Sequence, residues 1–371
     1  MGLDKLKVGL IYGGKSGEHE VSLQTAFSVA AAFDYDKYEL RPFYVTKEGQ
    51  WRVGEPRNRA FDELGELKLE NQGDQGSSDQ TSTAIELLFS KLATGQGAID
   101  VAFPLVHGTF GEDGTIQGLF EMADLPYVGA SVLASAAGMD KVIMKKLFAE
   151  AGLEQCKYCY FTASEWQANS YTYIQQVEDE LGYPCFVKPA NLGSSVGISK
   201  ANNREQLEQA VLYAFKYDLK VIVEEFVDAR EVEVGVLGND EPLASVPGEI
   251  VSSGEYYDYQ AKYIDGKSQM LIPAPLDTEV ADAVRDLAVA AFKAVACTGL
   301  CRADFFITKS TGQIWINEVN TMPGFTSYSM YPLLWRETGV GYSALIDRLI
   351  SLAMERYNVR KELHFEKELL A

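Results

Sequence analysis

An α/β fold spread over two or three domains is what the sequence predicts, and three observations carry it. The chain has 371 residues, more than one hydrophobic core usually organises. Short apolar, strand-like runs alternate with stretches of helical periodicity. The segment Phe186 to Lys200, FVKPANLGSSVGISK, sets a lysine and a glycine-rich loop between two strands. Gly193 and Gly197 bracket Ser194 and Ser195, so several backbone N–H groups and two hydroxyls can turn inward as a nest for phosphate. A Walker A loop differs, because its lysine ends the loop and opens a helix.

Composition narrows the function. At 47% hydrophobic and 23% charged residues the chain is ordinary globular material. No apolar run approaches the roughly 18 residues of a membrane helix, which excludes a membrane partner of that kind. The apolar start, Leu6 to Tyr12, runs into glycines and reads as a first strand, not a signal peptide. A net charge of −20, from 53 acids and 33 bases, argues against nucleic acid. An anionic substrate then needs a local positive site. Five cysteines, with Cys156-x-x-Cys159 lacking a second pair or a nearby histidine, read as reduced structural thiols of a cytoplasmic protein.

Leu6 to Tyr12 meets Gly13-Gly14-Lys15-Ser16-Gly17, and a helix starts near Glu18. That turn serves equally as a tight α/β connection or as part of a phosphate site. Leu40 to Val45 is a strand. Residues 48–98 carry little signal, and the polar run 71–83 reads as a mobile loop or small excursion. Ile99 to Leu105 is a buried strand ending in HGTFGEDG, residues 107–114, where open α/β sheets bind ligands. His107 is as much a structural candidate as a functional one. Thr115 to Ala123 is a helix, Pro126 to Gly129 a short strand, and 130–152 mostly helical, with Ile143, Leu147 and Phe148 on one face. Lys141 in that segment reads, alone, as a solvated helix residue.

Beyond the glycine-rich loop, Glu205 to Ala214 is a helix and Lys220 to Val227 a strand carrying Glu224. Glu231 to Leu237 alternates and predicts a half-buried strand. Tyr256 to Asp265, YYDYQAKYID, has no apolar periodicity and reads as a tyrosine-rich lid with one lysine. Asp277 to Ala296 is an amphipathic helix. Arg302 to Thr308 and Ile314 to Asn320 are strands about a Thr311-Gly312 turn. A turn centred there pairs Asp304 with Glu318 and Arg302 with Asn320, and puts all four on one face. Two carboxylates and an amide make an oxygen-donor set suited to Mg²⁺, which takes one or two carboxylates and substrate phosphates. The bland alternative is a polar face of solvated acids. The Gly/Ser/Thr loop from Thr321 to Ser329 can hold a carboxylate.

A phosphate nest, a lid lysine and a Mg²⁺ face together imply ATP chemistry. EHEVSL (18–23), HGTFGEDG (107–114), MDK (139–141), VKPANLGSSVG (187–197), YDYQAKY (257–263), RADF (302–305) and NEVNTMPGFTSYS (317–329) follow one another in order. In this the chain resembles the D-alanine:D-alanine ligases of the ATP-grasp superfamily over nearly its whole length. The resemblance implies a three-domain architecture: a Rossmann-like pre-ATP-grasp domain at 1–139 and two α+β subdomains sandwiching ATP. These lie at 140–228 and at 229–371, the latter with a lid at 249–270. It implies Lys141, Lys188 and Ser195 at the phosphates, which overrides the solvated reading of Lys141. It further implies Glu224 and Val227 at the adenine, Glu231 at the ribose, and Lys262 reaching the γ-phosphate. Asp304, Glu318 and Asn320 are then the holders of two Mg²⁺, with Mn²⁺ able to substitute. Glu18, Ser194 and Tyr263 become a network at the first D-alanine, with His107 nearby, and Ser329 a contact of the second D-alanine's carboxylate. Arg302 and the Gly324 N–H become oxyanion donors. A homodimer making D-alanyl-D-alanine for peptidoglycan is the implied protein. D-lactate or D-serine ligation, or another ATP-grasp carboxylate–amine ligation, is the alternative.

Overall fold

The computed structural model describes residues 5–70, 77–251 and 269–364, and divides its strands among three sheets. In the first, β1 (Leu6–Gly13) lies between β2 (Tyr38–Val45) and, beyond α1 (His19–Ala32) in the chain, a later strand. β3 (Trp51–Val53) runs antiparallel along the outer side of β2. A 3₁₀ turn, Leu64–Lys68, then precedes α2 (Ser77–Leu88) and α3 (Ser90–Thr94). The second neighbour of β1 is β4 (Val101–Pro104), parallel like β2, with Val8 opposite both Leu40 and Val101. Strands buried on both faces need no alternation, which is why β1 and β4 are near-continuous apolar runs.

Two expectations for this half change. The part of the polar run inside the described residues, from Ser77 onward, is α2 and not a loop; a run of Ser, Thr and Gln gave no apolar stripe to announce it. Pro126 to Gly129 supplies only a single bridge, Tyr127 to Ala102, and no strand. Residues 71–76 and the lid residues 252–268 lie outside the described residues.

α4 (Thr115–Met122), α5 (Val132–Met139) and α6 (Lys141–Glu150) lead to the second sheet. Asp140 separates the last two helices and caps α6, its Oδ1 accepting from the N–H groups of Val142 and Ile143 at 3.0 and 3.1 Å. Ile143 is exposed, unlike the expectation, because α6 turns Val142, Met144, Lys145 and Phe148 inward instead. β5 (Tyr158–Thr162), α7 (Ala163–Glu180), β6 (Cys185–Pro189), β7 (Ser199–Ala201), α8 (Arg204–Ala214) and β8 (Lys220–Glu225) follow. The four strands form an antiparallel sheet in the order β5-β8-β6-β7.

The third sheet is antiparallel and five-stranded. It comprises β9 (Ala229–Gly238), β10 (Leu243–Val251), β11 (Gln269–Leu271), β12 (Gly299–Thr308) and β13 (Ile314–Asn320), in the order β11-β10-β9-β12-β13. α9 (Thr278–Ala294) and α10 (Met330–Glu337) both pack against β9. That coverage buries Val232 to Gly238 on both faces, so β9 is a central strand and not the half-buried one expected.

α11 (Tyr342–Lys361) closes the chain by returning to the first sheet, where Leu345, Ile346, Leu349 and Ile350 share a core with Val8 and Leu10. At its far end the Arg356 guanidinium donates to the Gly129 and Tyr127 carbonyls at 2.5 and 2.9 Å and to Thr298 Oγ1 at 2.6 Å. Arg356→Met strands these buried acceptors and is expected to destabilise the protein by about 2–3 kcal/mol, read as a lowered midpoint in urea unfolding. An unchanged midpoint would remove this clamp from the account.

Candidate active site

One cavity of about 740 Å³ is lined by strands of the second and third sheets and, from the first domain, by the start of α1 and the loop after β4. Every described candidate lines it: Glu18, His107, Lys141, Lys188, Ser194, Ser195, Glu224, Val227, Glu231, Arg302, Asp304, Glu318, Asn320, Gly324 and Ser329. Lys262 and Tyr263 lie outside the described residues.

The hairpin of β12 and β13 has the expected register, Arg302 opposite Asn320 and Asp304 opposite Glu318. A bulge follows Asp304, so Phe305 faces Ile316 and the pairing beyond is shifted. Ala303 and Phe305 point into the core while Arg302 and Asp304 point into the cavity. Arg302 donates to both Asp304 oxygens at 2.7 Å, and Asn320 Nδ2 donates to Asp304 Oδ2 at 2.9 Å. Glu233, from the neighbouring β9, lies 2.9 Å from Arg302 Nε. Burial disfavours the Arg302 guanidinium, but Asp304 and Glu233 outweigh it and secure its proton.

Among the described residues no group of three or more His, Cys, Asp or Glu side chains forms a metal cluster. Asp304, Glu318 and Asn320 supply two carboxylates and one amide oxygen, few protein donors and all hard. That set fits Mg²⁺ better than a metal needing a full protein shell.

The side opposite this hairpin, where phosphate is expected, is built from α6 and the loop after β6. Lys141 is buried, its Nζ donating to the Leu192 carbonyl at 2.7 Å and its N–H to the Ala190 carbonyl at 3.0 Å. Burial lowers its pKa despite Glu318 nearby. In the loop, Ser194 and Ser195 have φ of 53° and 58°, left-handed values unusual for residues with a side chain. Gly197 follows at φ 76°, where a Cβ would lie 2.7 Å from the Pro189 ring and 2.9 Å from Tyr217. Ser194 Oγ donates to Glu18 Oε1, joining the loop to the start of α1 across the cavity. The turn Gly13-Gly14 is engaged inside its own domain, its N–H groups donating to Ser22 Oγ and the Val45 carbonyl, both at 2.8 Å. Of its two readings, the tight connection holds.

Glu224 is buried in β8 between two ammonium groups, Lys145 Nζ 3.0 Å from Oε1 and Lys188 Nζ 2.5 Å from Oε2. Burial pushes its carboxyl up, and the two lysines more than reverse this, holding it far below the usual carboxylate range. Sequence reasoning missed Lys145 and Glu233. It also left Glu112 without a role, although Glu112 Oε1 lies 3.4 Å from His107 Nδ1, with Thr25 Oγ1 3.1 Å from Nε2 on the other side. Burial disfavours the His107 imidazolium, but Glu112 raises its pKa above the ordinary value. At the far wall, Ser329 Oγ accepts from the Thr326 N–H at 3.1 Å, just past the Gly324 turn.

Comparison with known proteins places this arrangement. Family profiles described as D-ala D-ala ligase N-terminus and D-ala D-ala ligase C-terminus match residues 7–130 and 147–351. The chain is 52% identical over 364 residues to a D-alanine--D-alanine ligase of Bacillus cytotoxicus, covering 98% of this chain and 99% of that one. It is 48% identical over 369 residues to that of Listeria monocytogenes, covering 98% and 100%. Among solved structures, the D-alanine-D-alanine ligase of Coxiella burnetii superposes with a TM-score of 0.78 at 30% identity, covering 97% of each chain. The VanG D-Ala:D-Ser ligase of Enterococcus faecalis gives 0.79 at 34%, covering 94% of this chain and 100% of that one. The three-sheet architecture is therefore the ATP-grasp one that the resemblance implied, and the chain belongs to the D-alanine–D-alanine ligase family.

Proposed function

We infer that the chain joins two molecules of D-alanine into D-alanyl-D-alanine for peptidoglycan synthesis, converting ATP to ADP and phosphate. One observation carries the reading: a single cavity holds the buried lysines, the Asp304–Glu318–Asn320 face and Glu18.

A carboxylate is a poor electrophile and must first be activated. A carboxylate oxygen of the first D-alanine attacks the γ-phosphorus, the bond to the bridging oxygen breaks, and ADP leaves. Glu18 holds this substrate's ammonium, with Ser194 fixing the Glu18 carboxylate. Lys141, Lys188 and the loop of Ser195 neutralise the phosphates, while Glu224, Val227 and Glu231 frame the nucleoside. Asp304, Glu318 and Asn320 would hold Mg²⁺ or Mn²⁺, two ions in our reading, and the metal would supply positive charge against the phosphates. The amine of the second D-alanine, its carboxylate on Ser329, then attacks the acyl carbon. Arg302 and the Gly324 N–H stabilise the oxyanion. Phosphate departs as the C–O bond breaks, and the proton lost by the amine leaves with it.

His107, paired with Glu112 and Thr25, sits beside Glu18 and fixes that wall of the first substrate's pocket. The lid roles of Lys262 and Tyr263 rest on the resemblance. So does the homodimer. The division at 1–139, 140–228 and 229–371 is supported by the three sheets, which span Leu6–Pro104, Tyr158–Glu225 and Ala229–Asn320. A cytoplasmic location is supported by five free, buried cysteines. Among the described residues no helix is long and apolar enough to cross a membrane.

The test is phosphate and ADP release from ATP with D-alanine, with and without Mg²⁺, against matched D-serine and D-lactate reactions. Release with D-alanine only in the presence of the metal is expected, together with one dipeptide per phosphate. No release with D-alanine, but release with another amino acid, would reassign the substrate.

A further inference from the structure

The two lysines on Glu224 have different surroundings. Lys188 lies at the end of β6 and faces the cavity, with 14% of its side chain exposed. Lys145 lies one turn after Lys141 on α6, is 1% exposed and does not line the cavity. Its ammonium is enclosed by Glu224 at 3.0 Å, Cys156 Sγ at 3.5 Å and the Tyr158 ring at 5.7 Å. Its carbonyl is fixed by Gln155 Nε2 at 2.8 Å. One lysine can therefore turn toward a ligand and the other cannot.

We propose that Lys145 is the standing counter-ion of Glu224, a positioning residue that frees Lys188 to leave that carboxylate for the phosphates of ATP. The proposal rests on the reading of the cavity as an ATP site. A buried carboxylate stripped of its last cation is strongly destabilised. With Lys145 in place, Glu224 keeps a partner when Lys188 moves to the phosphates, and the Glu224–Lys145 pair remains neutral. Without Lys145, Lys188 is the remaining cation of Glu224 among these three groups, and each ATP that enters must break that pair. The burden falls on nucleotide binding and leaves the D-alanine pockets, walled by Glu18 and Ser329, untouched.

The test uses Lys145→Met in the full-length protein, measuring KM for ATP, KM for D-alanine at saturating ATP, and thermal unfolding. KM for ATP is expected to rise about tenfold or more. KM for D-alanine should stay within about twofold, and Lys145→Arg should restore most of the loss. The double variant with Glu224→Gln is decisive. Once Glu224 is uncharged it needs no counter-ion, so adding Lys145→Met to Glu224→Gln should leave KM for ATP nearly unmoved. A further rise in the double variant, an unchanged KM for ATP in Lys145→Met, or a parallel rise of both KM values would each overturn the proposal. If Lys145→Met alone fails to fold, the double variant against Glu224→Gln still decides, because it removes both buried charges together. Failure of the ATP-site reading would show separately, as wild-type turnover that does not depend on ATP.

Discussion

Asp304→Asn is expected to slow D-alanine-dependent phosphate release on the order of a thousandfold, with ATP affinity reduced far less. The substitution preserves size and removes one of two anionic donors from the proposed metal face. It also removes a partner of Arg302, whose guanidinium donates to both Asp304 oxygens. Glu233 remains 2.9 Å from Arg302 Nε, so the guanidinium keeps a carboxylate and its place. The loss therefore reports mainly on the metal face. Raising Mg²⁺ should recover part of the rate in the variant while leaving the wild type at its plateau. A variant with wild-type turnover and an unchanged Mg²⁺ requirement would return these acids to the status of a polar sheet surface.

Arg302→Lys tests the second chemical step. Lysine keeps the charge but loses the planar fork that spans Asp304 and Glu233 at once. A fall in kcat of about a hundredfold is expected, the scale of one lost oxyanion donor. KM for ATP should move little, because Lys141, Lys188 and Ser195 are untouched. Rapid-quench measurement should still show a first-turnover burst of ADP, with dipeptide formation slowed. Loss of that burst together with the dipeptide would move Arg302 into the phosphoryl-transfer step.

Much of this site could be read in the sequence, for local reasons. The Thr311-Gly312 turn fixes the hairpin, and strict alternation then puts Arg302, Asp304, Glu318 and Asn320 on one face. What escaped was the bulge after Asp304, since nothing in the residues there requires an extra position. Lys141 could not be recognised as buried from its own helix, because its cover comes from Ala190 and Leu192, about fifty residues on. Lys145 and Glu233 were missed although a signal existed. Glu224 follows Val221, Ile222 and Val223 directly, and an acid at the end of so apolar a strand demands a cation from elsewhere. Glu233 shares the alternation of Glu231 on β9, and β12 brings Arg302 alongside. The left-handed serines of the loop also went unforeseen, because glycine is the residue that ordinarily marks such a turn.

The pairing of Lys188 and Lys145 with Glu224 has a consequence for how a nucleotide arrives. The chain is strongly anionic, at −20, and Lys188, a cation of the proposed phosphate site, is already bound to an internal acid that Lys145 holds from behind. On net charge alone such a chain repels a polyanion at long range, and the charge of Lys188 is offset by Glu224 within the wall. With Lys188 in its proposed role, entry is an ion exchange at short range, with phosphate displacing carboxylate, and not an electrostatic capture from solution. Added salt is therefore expected to screen a repulsion and hasten the encounter, the reverse of the usual response of a basic nucleotide pocket. Selectivity among anions then falls to whichever can present a phosphate close enough to make that exchange.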